Sequence, residues 1–205
     1  VAFSLTYQPN VSAQALDQQL VIIRTVDWRA HQGRAYRFQG RPGRWTMVGS
    51  PFSVSLGYAG LGWGQGVLDT RGRAGPQKME GDGRSPAGMF RLLSGFGREE
   101  FQLKLPYERV TPGRVCVDDV RSPFYNTFQR VRPEEAPMWQ SAEDLYATDV
   151  YDLGLVVGHN RSPVSTAAGS CIFLHRWSTR HAPTPGCTAM APENLSLLVG
   201  WLDAA

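Results

Sequence analysis

The chain has 205 residues, of which 42% are hydrophobic and 19% charged, and its formal net charge at pH 7 is +3. These values are typical of one globular domain with a sizeable core. The small net charge and the lack of any Lys/Arg run argue against a nucleic-acid partner, and no apolar run approaches the ~18 residues of a transmembrane segment. The 22 Gly and 14 Pro residues favour a mainly β fold, because such residues form turns.

The first 20 residues are predicted to lie outside the main domain, which we place at residues 21–205. They begin as an extended arm with little periodicity. Residues 12–20 are predicted to form a short helix capped by Ser12, since a serine hydroxyl can accept a hydrogen bond from the first turn. Because the chain starts at Val1 without Met, we expect that a signal peptide or a tag has been removed.

Alternating polar and apolar residues predict that the domain starts with an antiparallel meander of three strands, at 21–28, 34–39 and 44–48. Five glycines follow between positions 57 and 66. This stretch fits a loop beside the site better than a phosphate-binding loop, because no Gly-Lys-Ser/Thr follows and no helix begins there. A second turn-rich loop leads into a strand predicted at 89–93.

Two further strands are predicted in the second half of the chain, at 114–117 and 152–157. The first ends on Asp118-Asp119. Either carboxylate could hold an ammonium group of a substrate, or it could cap a turn or form a salt bridge. The polar stretch 132–149, which includes the acidic pair Glu143-Asp144, is predicted to be a surface excursion with a short helix.

The chemistry is predicted to lie near the C-terminus, where a histidine and a cysteine flank a polar loop. An apolar run at 171–174 has the length and composition of a strand and delivers His175 at its end. A Pro-rich loop follows and closes on Gly186-Cys187. A helix is predicted over 192–203, since Pro192 suits a first helical turn and apolar residues then recur at helical spacing.

The pair His175 and Cys187 suits nucleophilic catalysis. A thiol needs a base or a lowered pKa to attack at neutral pH, and an adjacent imidazole supplies both. Gly186 would let backbone N–H groups, up to that of Thr188, approach a substrate carbonyl and form an oxyanion hole. His159 follows a strand and could orient His175, or it could stand apart from the site.

Three other interpretations of these residues remain open. Zinc could be bound by His175, His181 and Cys187, with Cys171 as a fourth ligand, although no compact zinc spacing occurs. His175 and Cys187 could be a core histidine and a buried thiol, although Pro185-Gly186 fits poorly inside a strand. The pair could also belong to a papain-like hydrolase, in which Cys precedes His in the chain, because chain order does not decide geometry.

The chain has three cysteines. If Cys187 is the reactive thiol, Cys116 and Cys171 are left to form a disulfide, which would suit an oxidising compartment such as the periplasm. Alternatively, both are small buried hydrophobic residues.

The sequence around the histidine–cysteine pair resembles a known family. His175 followed by Thr184-Pro185-Gly186-Cys187 resembles the His…Ser/Thr-His-Gly-Cys signature of the L,D-transpeptidases, the YkuD-like peptidoglycan cross-linking enzymes. Pro185 stands where many members have a second His, and Ala189 where many have Arg or Asn. Four further stretches resemble one bacterial branch of that family: 81–90, 116–122, 125–126 and 154–160.

The resemblance implies the fold of an L,D-transpeptidase catalytic domain, which is a mainly β sandwich or distorted barrel with a short N-terminal and a C-terminal helix. It implies Cys187 as the nucleophile and His175 as the base. Gly186 and Thr188 would then line the oxyanion hole. The candidate substrate-binding residues are Thr184, Asp118, Asp119 and His159.

The reaction that the resemblance implies is acyl transfer on peptidoglycan stem peptides. Cys187 would attack the amide before the terminal D-residue of a tetrapeptide and form a thioester. An amine would resolve it by cross-linking, or water would resolve it as in an L,D-carboxypeptidase or amidase. Carbapenem-type β-lactams would acylate the same thiol, no cofactor or metal is expected, and the implied location is the periplasm or cell envelope after export. Ala189 keeps open a cell-wall binding module with an inactive site.

Overall fold

The computed structural model of the protein describes residues 18–202. This part of the chain is mainly β, with 35% of residues in strands and 7% in helices, and it forms a curled mixed sheet with one C-terminal helix. The mainly β class predicted from the turn-rich composition is therefore confirmed. The helix predicted over 12–20 lies mostly outside the described residues, and its last three residues, 18–20, are in a strand instead.

The elements are short and closely spaced. In chain order they are β1 (Gln18–Arg24), β2 (Gln32–Arg41), β3 (Arg44–Met47), β4 (Phe52–Ser55), β5 (Leu61–Trp63), β6 (Ser85–Ala87), β7 (Leu92–Gly97), β8 (Tyr107–Arg109), β9 (Arg114–Val117), β10 (Phe128–Arg130), β11 (Ala142–Asp144), a 3₁₀ turn (Asp149–Tyr151), β12 (Leu153–Val157), β13 (Phe173–Arg176), β14 (Thr188–Met190) and α1 (Pro192–Trp201). The largest sheet has the strand order β1-β2-β4-β14-β13-β12-β7-β8, with β3 paired to β2. Strands β10-β9-β11 form a second sheet, and β5-β6 a third.

Most predicted strands are present, and several are displaced by two or three residues. The antiparallel meander at the start of the domain is present, since β2 pairs with both β1 and β3, but its first strand is at 18–24 rather than 21–28. The strand predicted at 171–174 is β13, at Phe173–Arg176. The strand predicted at 114–117 is β9, and the strand predicted at 152–157 is β12 without its first residue. The strand predicted at 89–93 is displaced to Leu92–Gly97, because pairing of β7 with β12 outweighs the local pattern.

The segment 132–149 is more than the surface excursion that its polar sequence predicts. It contains β11, which pairs antiparallel with β9, and the helical turn beside it is the 3₁₀ turn Asp149–Tyr151. Strand β9 is the central strand of its sheet and offers backbone N–H and C=O groups on both sides. Strand β11, from the acidic segment, supplies hydrogen-bond partners for the backbone groups on one side of β9.

The central strands of the large sheet present different side chains on their two faces. Leu155 on β12 and Leu174 on β13 belong to one buried cluster, whereas their neighbours Val156 and Phe173 belong to another. This division follows from the alternation of side chains along a strand. The large sheet therefore has a helix-covered face and an opposite face.

Helix α1 covers the first face with an apolar stripe. Its buried residues Leu195, Leu198 and Val199 recur at the predicted helical spacing and pack toward β12 and β13. Burial of each such side chain typically contributes about 1.5–3 kcal/mol. The helix begins at Pro192, as predicted, and ends at Trp201, two residues short of the predicted end at 203, which lies outside the described residues.

A disulfide ties the small β10-β9-β11 sheet to the opposite face. Cys116 on β9 is bonded to Cys171, which lies two residues before β13. Of the two possibilities that the sequence left open for this pair, the structure contains the disulfide. The bond joins positions 55 residues apart, and a disulfide of this kind typically contributes about 2–4 kcal/mol. Within the described residues, Cys187 is the free cysteine.

Candidate active site

Cys187 lies in a tight turn whose shape is fixed by two buried hydroxyl groups. The Thr184 hydroxyl donates to the carbonyl oxygen of Cys187 (2.6 Å) and accepts the N–H of Gly186 (3.2 Å). The Ser85 hydroxyl donates to the same carbonyl (2.8 Å) and accepts the N–H of Gly57 (2.8 Å). The glycine-rich loop that the sequence placed beside the site therefore helps to support the Cys187 turn.

Two residues predicted to contact the substrate or the oxyanion, Thr184 and Gly186, make hydrogen bonds within the Cys187 turn instead. Thr184 is buried and its hydroxyl makes two bonds there, so it shapes the turn rather than facing a substrate. The N–H of Gly186 is bonded to Thr184 and is not a free oxyanion donor in this conformation. A Cβ at position 186 would lie 3.2 Å from the carbonyl oxygen of Arg84, which favours glycine. Thr188 is buried in β14, opposite Leu174.

The thiol of Cys187 is shielded from water, with 5% of the residue exposed. Its sulfur accepts the N–H of Phe173 (3.2 Å), and its S–H donates to the carbonyl oxygen of Cys171 (3.4 Å). Burial, and next the charge of Glu143, raise the thiol pKa well above its ordinary value. The Phe173 N–H and the Tyr151 hydroxyl act in the opposite direction but are outweighed. The resting thiol is therefore neutral.

His175 lies inside β13 rather than at its end, since the strand runs from Phe173 to Arg176. Its Nδ1 is 2.7 Å from the carbonyl oxygen of Arg176. A carbonyl can only accept, so Nδ1 carries the proton and Nε2 keeps its lone pair. Burial lowers the pKa of the imidazole to about 4, so the ring is neutral at pH 7.

His175 lies on β13, and Cys187 immediately precedes β14, the parallel strand beside it. His175 is opposite Ala189 of β14, two residues after Cys187, so alternation puts the three side chains on one face. No hydrogen bond joins the imidazole to the thiol in the described part of the chain. The Tyr151 ring packs edge-on against His175, with ring centroids 5.3 Å apart, and belongs to the same buried cluster as Cys187. Tyr151 therefore lies beside both groups.

Tyr151 and Glu143 are site residues that the sequence analysis missed. The Tyr151 hydroxyl donates to Oε2 of Glu143 at 2.6 Å. Burial raises the pKa of Glu143 to about 7, and the charges of Asp118 and Glu80 act in the same direction. The hydrogen bond from Tyr151 offsets part of this rise. For Tyr151 the sequence offered one signal of burial, its position next to an apolar strand. For Glu143 it offered none, because Glu143 stands in a polar stretch.

The two aspartates that follow β9 differ in their surroundings. Asp119 accepts the backbone N–H groups of Arg121 (3.0 Å) and Gln140 (2.8 Å), which lower the pKa of its carboxyl. It therefore holds a loop, which is the turn-capping alternative given above. Oδ1 of Asp118 is buried without a hydrogen-bond partner within the described residues, and its charge acts on Glu143. Asp118 is thus the aspartate that lies near the candidate site.

His159 is almost fully buried and supports a loop. Its Nε2 bonds to the carbonyl oxygen of Ala168 (2.9 Å), and its ring packs edge-on against Phe90, with centroids 5.8 Å apart. Burial lowers the pKa of its imidazole to about 4. Because Nδ1 of His175 is bonded to a backbone carbonyl, His159 does not orient that ring; it holds the segment before Cys171.

Residues 18–202 contain no group of three His, Cys, Asp or Glu side chains placed to hold a metal ion. His181, considered above as a zinc ligand, packs on Trp177 with ring centroids 4.8 Å apart, and Cys171 is in the disulfide. In the same part of the chain, no helix combines the length and the apolar character needed to cross a membrane.

Two surface clefts lie away from the thiol. One, of about 620 Å³, is lined by Trp177, His181 and the first turn of α1. The other, of about 350 Å³, is lined by Phe124, Trp139 and several arginines. Neither of these two clefts includes Cys187, of which 5% is exposed.

Comparison of the chain with known protein families, characterised proteins and solved structures finds no match. The candidate site is therefore defined by its own geometry: a buried neutral thiol, a neutral imidazole on the adjacent strand, and a tyrosine–glutamate pair beside them.

Proposed function

We propose that this protein is a cysteine-dependent acyltransferase of peptidoglycan stem peptides, an L,D-transpeptidase with the catalytic-domain fold of that family. The observation that carries the proposal is the parallel pairing of β13 with β14. It supports the proposal because thiol catalysis requires an imidazole and a thiol close together, and here the thiol immediately precedes the strand that pairs with the strand of His175. The signature-like sequence from His175 to Cys187 supports the same reaction.

The proposed reaction has two steps. The sulfur of Cys187 attacks the amide carbonyl before the terminal D-residue of a tetrapeptide, while a base takes the thiol proton and returns it to the leaving D-amino acid. His175 suits the role of base, because its imidazole is neutral and Nε2 keeps its lone pair. An amine from a second stem then resolves the thioester by cross-linking, or water resolves it by L,D-carboxypeptidase or amidase chemistry.

The neutral resting thiol means that deprotonation accompanies attack rather than precedes it. Burial and Glu143 keep the thiol pKa of Cys187 high, so few thiolates exist at pH 7 without substrate. A bound acyl carbonyl beside the sulfur would make loss of the proton favourable. Slow background reaction with oxidants and alkylating agents is the expected consequence.

The proposed location is the periplasm or the cell envelope, after export. The disulfide between Cys116 and Cys171 supports this location, since disulfides persist in oxidising compartments. The proposed partners are peptidoglycan stem peptides, and carbapenem-type β-lactams are the proposed covalent inhibitors.

Acylation of the thiol tests the proposed function. The purified protein is incubated with a carbapenem-type β-lactam and its intact mass is measured, while release of the D-amino acid from a disaccharide-tetrapeptide is followed in parallel. We expect one adduct per chain and product release for the wild type, and neither for Cys187→Ser, which keeps the side-chain volume in the buried turn. Turnover by Cys187→Ser or Cys187→Ala would contradict the assignment.

A cell-wall binding module with an inactive site is the second candidate function. The burial of Cys187 favours it, and so does Ala189, the small residue that lies opposite His175. Such a module would co-sediment with purified peptidoglycan but would form no β-lactam adduct and release no D-amino acid. The same pair of assays therefore separates the two candidates.

A further inference from the structure

Tyr151 is placed between the thiol and a carboxyl group. Its ring is buried and packs edge-on against both His175 (5.3 Å) and Phe173 (5.5 Å). Its hydroxyl donates to Oε2 of Glu143, and the same hydroxyl is close enough to Cys187 for each group to act on the pKa of the other. Contacts on the ring and on the hydroxyl therefore hold Tyr151 beside the sulfur.

The hydrogen bonds at this point fix the direction in which a proton can move. A tyrosine hydroxyl has one proton, which here is donated to Glu143, so its oxygen can only accept from Cys187. In this conformation the thiol donates its proton to the carbonyl oxygen of Cys171, but a backbone carbonyl cannot pass a proton on. The Tyr151 hydroxyl can pass a proton on, because its oxygen can receive one proton from the thiol while its own proton moves to Glu143.

We propose that Tyr151 is a catalytic residue that carries the thiol proton of Cys187 to Glu143, and that Glu143 is the positioning residue that receives it. This inference rests on the acyl transfer proposed above and makes Tyr151, rather than His175, the first acceptor of the thiol proton; the pH dependence of acylation separates the two assignments. As the C–S bond to the substrate forms, the S–H bond breaks, its proton moves to the Tyr151 oxygen, and the original Tyr151 proton moves to Glu143. When the tetrahedral intermediate collapses, the same path returns a proton to the leaving amine and Glu143 is ionised again.

The relay moves one negative charge instead of creating a second one. The charge is on Glu143 before attack, and on the sulfur or the oxyanion once Glu143 is neutral. Two adjacent negative charges in a buried site are costly, so this exchange is favoured over ionising Cys187 beside a carboxylate. The carboxylates of Asp118 and Glu80 raise the proton affinity of Glu143, and the Lys78 ammonium favours the thiolate. All three neighbours therefore assist the transfer.

Three substitutions separate the relay from a purely structural role. Tyr151→Phe keeps the ring and removes the hydroxyl, and Glu143→Gln keeps the shape and removes the charge. Tyr107→Phe is the matched control, because the Tyr107 hydroxyl also donates a hydrogen bond, but to the backbone carbonyl oxygen of Glu99 (2.6 Å) rather than to a group of the relay. Two rates are measured from about pH 5 to about pH 10: alkylation of Cys187 by iodoacetamide and acylation by a carbapenem-type β-lactam. Melting temperatures report whether each variant is folded.

For Glu143→Gln, we expect the two rates to move in opposite directions. Without the negative charge the thiolate forms at lower pH, so alkylation near pH 8 rises severalfold. Acylation falls about 10²-fold or more, because the proton acceptor is lost. Tyr151→Phe should slow both reactions, and Tyr107→Phe should change neither. A structural defect would not accelerate one reaction while slowing the other.

The wild-type pH profile is an independent measurement that needs no substitution. Glu143 can accept a proton only when ionised, so acylation should fall as the pH drops below about 7, the pKa of its carboxyl. If His175 alone were the base, the rate would fall only near pH 4, the pKa of its imidazole.

A flat profile between about pH 5 and about pH 8, or acylation of Glu143→Gln at the wild-type rate, would overturn the relay and leave the acyl transfer intact. The absence of any wild-type adduct would overturn both proposals.

Discussion

The two faces of the large sheet have different kinds of core. The face beneath α1 is packed with apolar side chains such as Leu155, Leu174 and Leu198, all almost fully buried. The opposite face combines Phe173 with a free thiol, a disulfide and the hydroxyl of Tyr151. Burial stabilises the fold on the first face, and on the second face it also changes the chemistry of the side chains that it encloses.

The titratable groups of the second face illustrate this change. Burial raises the pKa of Cys187 and Glu143 and lowers the pKa of His175. Each shift favours the neutral form of its group, as expected when water is excluded. Interactions among the three groups, rather than with solvent, then decide where a proton goes.

Replacing His175 by Asn should reduce acyl transfer by about 10²–10⁴-fold, because it removes a neutral base and the ring that packs against Tyr151. Partial recovery is expected at higher pH, where the thiolate forms unaided. The measurements are product release and the rate of thiol alkylation as a function of pH. His181→Asn, in the surface cleft, is the control and should behave like the wild type. An unchanged apparent thiol pKa in His175→Asn would mean that His175 is not the partner of Cys187.

The helix-covered face is the part of the fold that the sequence predicts best. The start of α1 at Pro192 and its apolar spacing are local patterns. Such patterns depend only on the repeat of a helix or a strand, so they can be recognised without knowledge of distant contacts.

The opposite face could be predicted only where its residues are neighbours in sequence. Cys187 and His175 stand in one recognisable stretch, whereas Glu143 and Tyr151 reach the site through the pairing of β11 with β9. This pairing is a long-range contact, and the three residues of β11 are too few to show a period. The polar sequence around Glu143 predicts exposure, and only the tertiary structure shows otherwise.

Replacing Leu198 by Ala should cost about 2–5 kcal/mol of unfolding free energy, because it leaves a cavity in the fully buried apolar face. Acylation per folded molecule should stay at the wild-type level, since the reactive face is on the other side of the sheet. Urea unfolding and the β-lactam adduct rate are the two measurements. Leu197→Ala is the matched control, because Leu197 is on the same helix but 51% exposed. Equal losses in the two variants would show that the helix does not pack as described.

Removing the disulfide should cost about 2–4 kcal/mol of unfolding free energy. The double variant Cys116→Ser/Cys171→Ser tests this by urea unfolding, and its effect on acylation should exceed that of Leu198→Ala because Cys171 contacts the thiol of Cys187. Counting free thiols in the exported wild-type protein under denaturing, non-reducing conditions tests the bond itself. One free thiol is expected, and three would refute the disulfide.

The smallest expected effect is a pH-dependent difference in stability between the wild type and Glu143→Gln. The pKa of Glu143 is raised to about 7 from an ordinary value of 4.5, so its contribution to stability is lost as the pH rises through this window. The pKa values of His175 and His159 are lowered to about 4, so their contribution is lost as the pH falls from 6.5 to about 4. The two trends oppose each other, so the unfolding free energy of the wild type changes less with pH than either trend alone would predict.

Glu143→Gln should remove only the first of these trends. Its stability relative to the wild type should therefore increase between about pH 4.5 and about pH 7.5, by at most about 3.5 kcal/mol, since one unit of pKa corresponds to about 1.4 kcal/mol. Urea unfolding at several pH values measures the difference. Glu135→Gln is the control, because Glu135 is exposed and pairs with Arg132 at the surface. A constant difference across this range would mean that the Glu143 carboxyl titrates as it does in water, and burial would then not govern the chemistry of the second face.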